Sequence, residues 1–289
     1  MKFETLVSKI DNENSLKDII LNWYYYSTGN SVEKFEEYCE FLIEEMFSSY
    51  INNREKINKS LAGWVGDNAK KMRFHNALFL SETVKFAVEV ALTISESNAS
   101  MARIVACPTA GACGIIPGVL ISLNKYKKID KKTLKNSFVV SSALGELIKR
   151  EASISGAVGG CQAEIGTAAA MASLLIVYSF APDNKRAILS APALTLKSIM
   201  GLVCDPVGGY VEIPCVKRNA FAVSTSFTSA EMALAGIESK IPVDEVIIAM
   251  GQVGRSLNEE LRETGKGGIA ASKTAKKMIK DFKDVDIAY

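Results

Sequence analysis

The chain has 289 residues and a mass of 31.3 kDa, with 48% apolar and 23% charged residues. That balance excludes a disordered chain and supplies enough apolar side chain for one large domain, or two small ones at ~150 residues each. The 34 basic and 32 acidic residues leave a net charge of +2, too weak a field to make nucleic acid or an anionic membrane a default partner.

The N-terminal run MKFETLVSKIDNENSLKD alternates charged and apolar residues. It has no apolar core ahead of a small-residue cleavage site, so no secretory signal is expected. The pattern is helical almost throughout, with breaks at Gly and Pro. A helix is expected over 14–27, then a long amphipathic one over 31–58. Ser31 caps the second, and Phe35, Tyr38, Leu42 and Met46 recur at spacings of three and four. Residues 60–75, SLAGWVGDNAKKMRFH, read as a Gly-containing loop or hinge. Further helices are expected over 81–97 with Ser81 as cap, and over 131–151, 162–180, 186–203, 218–236, 243–260 and 270–283. No internal repeat or polar linker divides the chain. The expected fold is all-α: one compact multi-helix domain over residues 1–289, with an N-terminal helical arm of about residues 1–60.

Ile165–Pro182 carries no charge and reaches the lower length limit of a membrane span. It is rich in Ala, Ser, Gly and Thr and is flanked by Glu164 and Asp183. A buried core helix in a cytoplasmic protein, without a membrane partner, is the expectation.

Six cysteines are present, Cys39, Cys107, Cys113, Cys161, Cys204 and Cys215, and one histidine, His75. A lone histidine leaves no Cys/His finger and no HExxH site. It also leaves no Ser-His-Asp or Cys-His set that omits His75, for which a surface or helix-end role is expected.

Three segments stand out. CPTAGACGIIPG, residues 107–118, has the turns and helix start of a backbone N–H nest for an anion such as a carboxylate. SGAVGGCQAEIGTAAAM, residues 155–171, puts Cys161 at a helix start just after two glycines, where a thiolate is favoured. GLVCDPVGGYVEIPCVKRNA, residues 201–220, sets Cys204 and Cys215 beside prolines, with Lys217 and Arg218 close to Cys215. Any one of these thiols reads as an inert buried side chain, and Gly/Pro-rich turns mostly just turn the chain. The joint pattern, three cysteines at irregular points flanked by helices, points to soft metal ligation by Fe–S or zinc. The close CxxC pairs usual in structural zinc sites are absent. Three thiolates leave one iron of a 4Fe–4S cluster without a protein ligand, open to an oxygen ligand as a Lewis acid.

IVACPTAGACGIIPGVL, GAVGGCQAEIGTAAAMA, GLVCDPVGGYVEIPCVKRNA, ALAGIESKIPVDEVI and LRETGKGGIA resemble the alpha subunit, or catalytic domain, of iron–sulfur-dependent L-serine dehydratases, from about residue 14 to 275. The resemblance implies an all-helical catalytic domain that converts L-serine to pyruvate and ammonia without pyridoxal phosphate. It implies an oxygen-sensitive 4Fe–4S cluster held by Cys161, Cys204 and Cys215, with Cys39, Cys107 and Cys113 structural. The Thr109, Ala110 and Gly111 turn is expected to hold the substrate carboxylate. Lys217, Arg218 and Asn219 are candidates for the base, or for holding carboxylate, cluster or a partner surface, against the plain reading of a solvated helix start. The expected partners are L-serine and a separate beta subunit with an ACT-type domain, within an oligomer. Many relatives carry a TGGDA-like segment where this chain has GWVGDNAKK, residues 63–71, an expected substrate loop; Asp67, a candidate substrate-binding residue, and Lys70 keep its polar character and Trp64 adds bulk. Ala112-Cys113 stands where Ser-Cys or Ser-Ala is common, and no Cys lies near the C-terminus. The alternatives are a related lyase acting on L-cysteine or another β-substituted amino acid, and a non-catalytic Fe–S protein.

Overall fold

The computed structural model describes residues 1–56 and 59–286. Among them are thirteen α-helices and no strand; the one β-bridge joins Cys204 to Arg262. The helices are α1 (Phe3–Ser8), α2 (Leu16–Thr28), α3 (Val32–Asn53), α4 (Asn68–Phe74), α5 (Glu82–Ala99), α6 (Ile115–Lys127), α7 (Lys131–Glu151), α8 (Gly156–Gly159), α9 (Thr167–Phe180), α10 (Lys185–Ile199), α11 (Cys215–Leu234), α12 (Val243–Ser256) and α13 (Lys273–Asp286).

Local sequence explains most of the starts. Ser15, Ser31, Ser81 and Asp130 each accept the N–H three residues on, satisfying a donor that the first helical turn leaves free. Gly29 ends α2 in the left-handed region at φ 70°.

α9 is the central element, buried at every position from Thr167 to Tyr178 and packed by α6, α7, α10 and α11. Burying each leucine or valine of such a helix stabilises by ~1.5–3 kcal/mol. The stretch Gln162–Phe180 is long and apolar enough to cross a membrane, yet 83% of its most apolar window is buried inside the fold, as a core helix requires. One apolar cluster runs from Phe3, Leu6 and Val7 of α1 through α9 to Met250 of α12.

Several boundaries differ from the sequence reading. The 60–75 segment contains α4, because Glu96 of α5 accepts the N–H groups of Gly66, Asn68 and Ala69 and so caps that helix from outside its own sequence. The long 31–58 helix stops at Asn53; its expected residues 57 and 58 lie outside the described residues. The 186–203 helix stops at Ile199, where Gly201 takes φ 91° and Leu202 N–H turns back to the Ile199 carbonyl. α11 begins three residues early, at Cys215, because Pro214 sits at its N-cap, where a missing N–H costs nothing. α6 forms through the IIPGVL run since Pro117 falls in its first turn. α1 and α8 also lie outside the expected set.

Candidate metal centre

The segments bearing Cys161, Cys204 and Cys215 meet at one end of α11. α8 leads into Gly160, which takes φ 76° and ψ 179°. A Cβ there would stand 2.6 Å from Leu257 Cδ1 and 2.9 Å from the Leu202 carbonyl oxygen. Gly160→Ala is therefore expected to destabilise the protein by about 2 kcal/mol or more, from backbone strain and overpacking together; thermal melts of the apo-protein measure it. Cys161 follows and leads into a π-helical turn, Gln162–Gly166, a distortion common at functional sites. Gln162 then locks this segment to its neighbour. Its backbone N–H donates to the Leu202 carbonyl at 2.9 Å, its Oε1 accepts from Gly201 N–H at 2.8 Å, and its Nε2 donates to the Met250 carbonyl at 3.1 Å.

Cys204 is fixed through its backbone on both sides. Its N–H donates to the Leu261 carbonyl at 2.9 Å, and its carbonyl accepts from Glu263 N–H at 2.7 Å. Cys215 opens α11 after the cis Ile213–Pro214 bond. The Cys215 carbonyl accepts from Asn219 Nδ2 at 3.0 Å.

All three thiols are buried and none is in a disulfide. A hydrogen bond from the Cys204 thiol pulls Cys161 below the ordinary thiol range, and the Arg218 guanidinium beside it acts in the same direction. Cys204, the donor, is pushed up by that bond and by burial. Burial, with the Cys161 charge adding to it, raises Cys215 to about 12. The remaining cysteines behave differently. Burial alone dominates Cys39, Cys107 and Cys113, each pushed up to about 12 from an ordinary value of 9.0. A thiol whose folded pKa is raised stabilises the fold below its unfolded pKa and loses that contribution as pH climbs to the folded value. The melting temperature of the apo-protein is thus expected to fall as pH rises from about 9 to about 12. Calorimetry across that range checks it, and Cys107→Ala should flatten the fall.

Arg218 bridges the set. Its Nη2 lies 2.8 Å from Asp205 Oδ1 and its Nη1 donates to the Val203 carbonyl at 2.9 Å. Asp205 is 2% exposed and accepts from Ile269 N–H at 2.7 Å. The guanidinium therefore faces Cys161 and the segment before Cys204, and holds its charge through a buried pair. Lys217, its neighbour, is exposed. Asn219 is 1% exposed and its amide is fully used within the protein: Oδ1 accepts from Gly114 N–H at 2.9 Å, and Nδ2 donates to Gly111 and Cys215 carbonyls. It ties the 109–114 loop to the first turn of α11. His75 is the exposed C-cap of α4.

Thr109, Ala110 and Gly111 lie beside this centre in a 3-10 turn, Ala110–Ala112. Among the described residues, the Ala110 and Gly111 amides donate to no protein acceptor. Thr109 Oγ1 is shielded from solvent and faces Glu164; burial pushes the Glu164 carboxyl up, and the Thr109 hydroxyl opposes that shift. A Cβ on Gly111 would stand 3.0 Å from Glu164 Oε2, so the turn and this carboxylate share one wall. Asp67, by contrast, is exposed and paired with Lys71 at 2.7 Å. Its loop is held by Glu96 and by Glu212, which accepts from Ser60 Oγ and from the Ala62 and Trp64 N–H groups. Trp64 packs edge-on against Tyr210 and Phe282.

Ligand atoms of Glu164, Cys204 and Glu263 lie within 4.8 Å of one another, a set able to hold a metal ion. Neither glutamate was among the residues that sequence singled out. Glu164, three positions after Cys161 in a helical run, carried a readable signal; Glu263 reaches the centre only through the Cys204–Arg262 bridge. The donor chemistry fits a thiophilic metal group: three buried, unoxidised sulfurs, one held toward thiolate by an adjacent cation. Open clefts also lie elsewhere. One of about 310 Å³ is lined by Trp23, Tyr24, Phe35 and Ala143, and its Glu146 and Arg150 pair with each other. Chemistry rather than volume places the site.

Residues 6–270 match the family profile of the serine dehydratase alpha chain. The chain is 39% identical over 276 residues to the L-serine dehydratase alpha chain of Peptoniphilus asaccharolyticus, covering 94% of each. It is 46% identical over 194 residues to the probable L-serine dehydratase alpha chain of Bacillus subtilis, covering 67% of this chain and 64% of that one. It is 40% identical over 182 residues to L-serine dehydratase 2 of Escherichia coli, a match that spans 62% of this chain and 40% of the longer protein.

Proposed function

The chain belongs to the serine dehydratase alpha chain family, and from that membership we propose that it is the catalytic subunit of an L-serine ammonia-lyase, releasing pyruvate and ammonia. The observation that carries the reading is the hydrogen-bonded pair of buried thiols, Cys161 and Cys204, beside Arg218, with the buried free thiol of Cys215 close enough to feel the charge of Cys161 and Arg218. Cys161, Cys204 and Cys215 would hold a 4Fe–4S cluster there. When bound, the cluster supplies a Lewis acid for the serine hydroxyl, making it a better leaving group.

The chain's own residues prepare that chemistry. The Cys204 thiol favours the thiolate of Cys161, and Arg218, held in place by its pair with Asp205, adds to that with its charge. The free amides of Ala110 and Gly111 offer two N–H donors to the substrate carboxylate. Asn219 fixes the distance between that turn and Cys215. Burial of the sulfurs keeps water from the ligand bonds. The alpha-chain names of the relatives support a beta chain partner, which we propose brings an ACT-type domain to an oligomer.

Anaerobic assay of the iron-loaded protein, co-expressed with its beta chain, tests the reading. Pyruvate from L-serine is expected, with iron and sulfide bound. Turnover of L-cysteine alone would redirect the substrate assignment, and a folded protein that takes up no iron would end the reading.

A further inference from the structure

The carboxylates of Glu164 and Glu263 face the same small space as the sulfur of Cys204, all within 4.8 Å. Among the described residues neither carboxylate has a cationic partner: Arg218 is committed to Asp205 and the Val203 carbonyl. Two acidic groups converging without a counter-charge repel each other, so the fold holds them together at a cost. Glu263 adds backbone strain. It sits in the left-handed region at φ 64°, unusual for a residue other than glycine, and its N–H is tied to the Cys204 carbonyl at 2.7 Å. Backbone strain of this kind clusters at functional sites.

The opposite wall is bare backbone. A Cβ at Gly156 would stand 2.9 Å from Glu164 Oε2, 3.0 Å from Cys204 Sγ and 3.2 Å from Glu263 Oε2. One at Gly111 would stand 3.0 Å from Glu164 Oε2, beside the unused amides of Ala110 and Gly111. The space therefore offers two carboxylate acceptors, one of them pushed up by burial and so favoured as an anion when a cation is seated beside it, next to the turn that carries the two unused amides. A zwitterion whose ammonium and carboxylate share one carbon matches that pairing. Glu263 is the exposed member of the set, and opens it to a small molecule from solvent.

Resting on the lyase reading above, we propose that Glu164 and Glu263 are the seat of the substrate's α-ammonium and make the site selective for amino acids over hydroxy acids. The test uses the anaerobically iron-loaded holoenzyme. L-serine and glycerate, which carries a hydroxyl in place of the ammonium, are titrated against the spectrum of the bound metal group. Replacing a charged acceptor with a neutral amide is expected to weaken L-serine binding by about 10- to 100-fold in Glu164→Gln and Glu263→Gln. Glycerate binding should be unchanged or stronger. Glu263→Gln, at an exposed position, carries the test should Glu164→Gln fail to fold. Equal losses for both ligands would overturn the proposal. So would an altered resting spectrum without ligand, which would make these carboxylates metal ligands. A wild-type protein that binds iron but does not respond to L-serine would instead fail the lyase reading, and is seen before any variant is compared.

Discussion

Cys204→Ala is expected to abolish iron binding and lyase activity together while leaving the helical fold in place. The backbone at Cys204 is held from both sides by Leu261 and Glu263, so the segment keeps its position without the sulfur. The thiol itself makes the hydrogen bond that draws Cys161 toward its ligating form. Its loss therefore removes one ligand and, in the metal-free protein, the donor that favours the Cys161 thiolate. Two remaining sulfurs, one of them raised to about 12 by burial, are a poor grip on a cluster. Activity should fall by more than about 100-fold, beyond what loss of a supporting contact alone produces. Iron and sulfide content after anaerobic reconstitution, the brown absorbance and the rate of pyruvate formation are the measurements. Cys39→Ala and Cys113→Ala, which remove sulfurs outside this set, should keep iron and colour. A Cys204→Ala protein that remains brown or active would remove Cys204 from the ligand set.

The reach of the sequence can be judged from individual residues. Where a helix carries its own start and stop, pattern is enough: α7 runs over 131–151 as expected, with Asp130 as its cap. Where the stop signal comes from elsewhere in the chain, pattern misleads. α4 was hidden in an expected loop because its cap is Glu96, on another helix. The three cysteine-bearing segments stand out in sequence because each carries, within a few residues of its sulfur, a Gly or Pro at which the chain turns. Their environment was only half legible. Lys217 and Arg218 are adjacent in sequence, yet helical geometry sends Arg218 to Cys161 and Asp205 and leaves Lys217 exposed. Glu263 could not be found by spacing, since a single bridge between distant segments delivers it. The basic character near Cys215 was thus readable, and the acidic half of the centre was not.

Asn219→Asp should be as damaging as a much larger change, although it alters one atom. The native amide donates to the Gly111 carbonyl at 2.8 Å and to the Cys215 carbonyl at 3.0 Å while accepting from Gly114 N–H at 2.9 Å. An ionised aspartate still accepts but donates nothing, so two carbonyls face an anion in a site that is 1% exposed. A protonated aspartate can donate to only one of them. Leaving the buried Gly111 acceptor unpaired costs ~1–3 kcal/mol; the Cys215 carbonyl keeps its bond in the α11 ladder, so the repulsion of the carboxylate by both carbonyls is what adds to that figure. The carboxyl of the variant would be held above its ordinary range, because both burial and the facing carbonyls disfavour its charge. A raised folded pKa means that the protonated form's contribution is present at low pH and lost as pH rises. The deficit against wild type should therefore grow from about pH 4 toward neutrality. Melts of the apo-protein across that range read the stability, and iron content after reconstitution reads the coupling between the 109–114 loop and Cys215. Were Asn219 instead a participant in proton transfer, the variant would lose turnover while keeping its melting temperature and its iron. The amide's three bonds to the backbone argue for the first outcome.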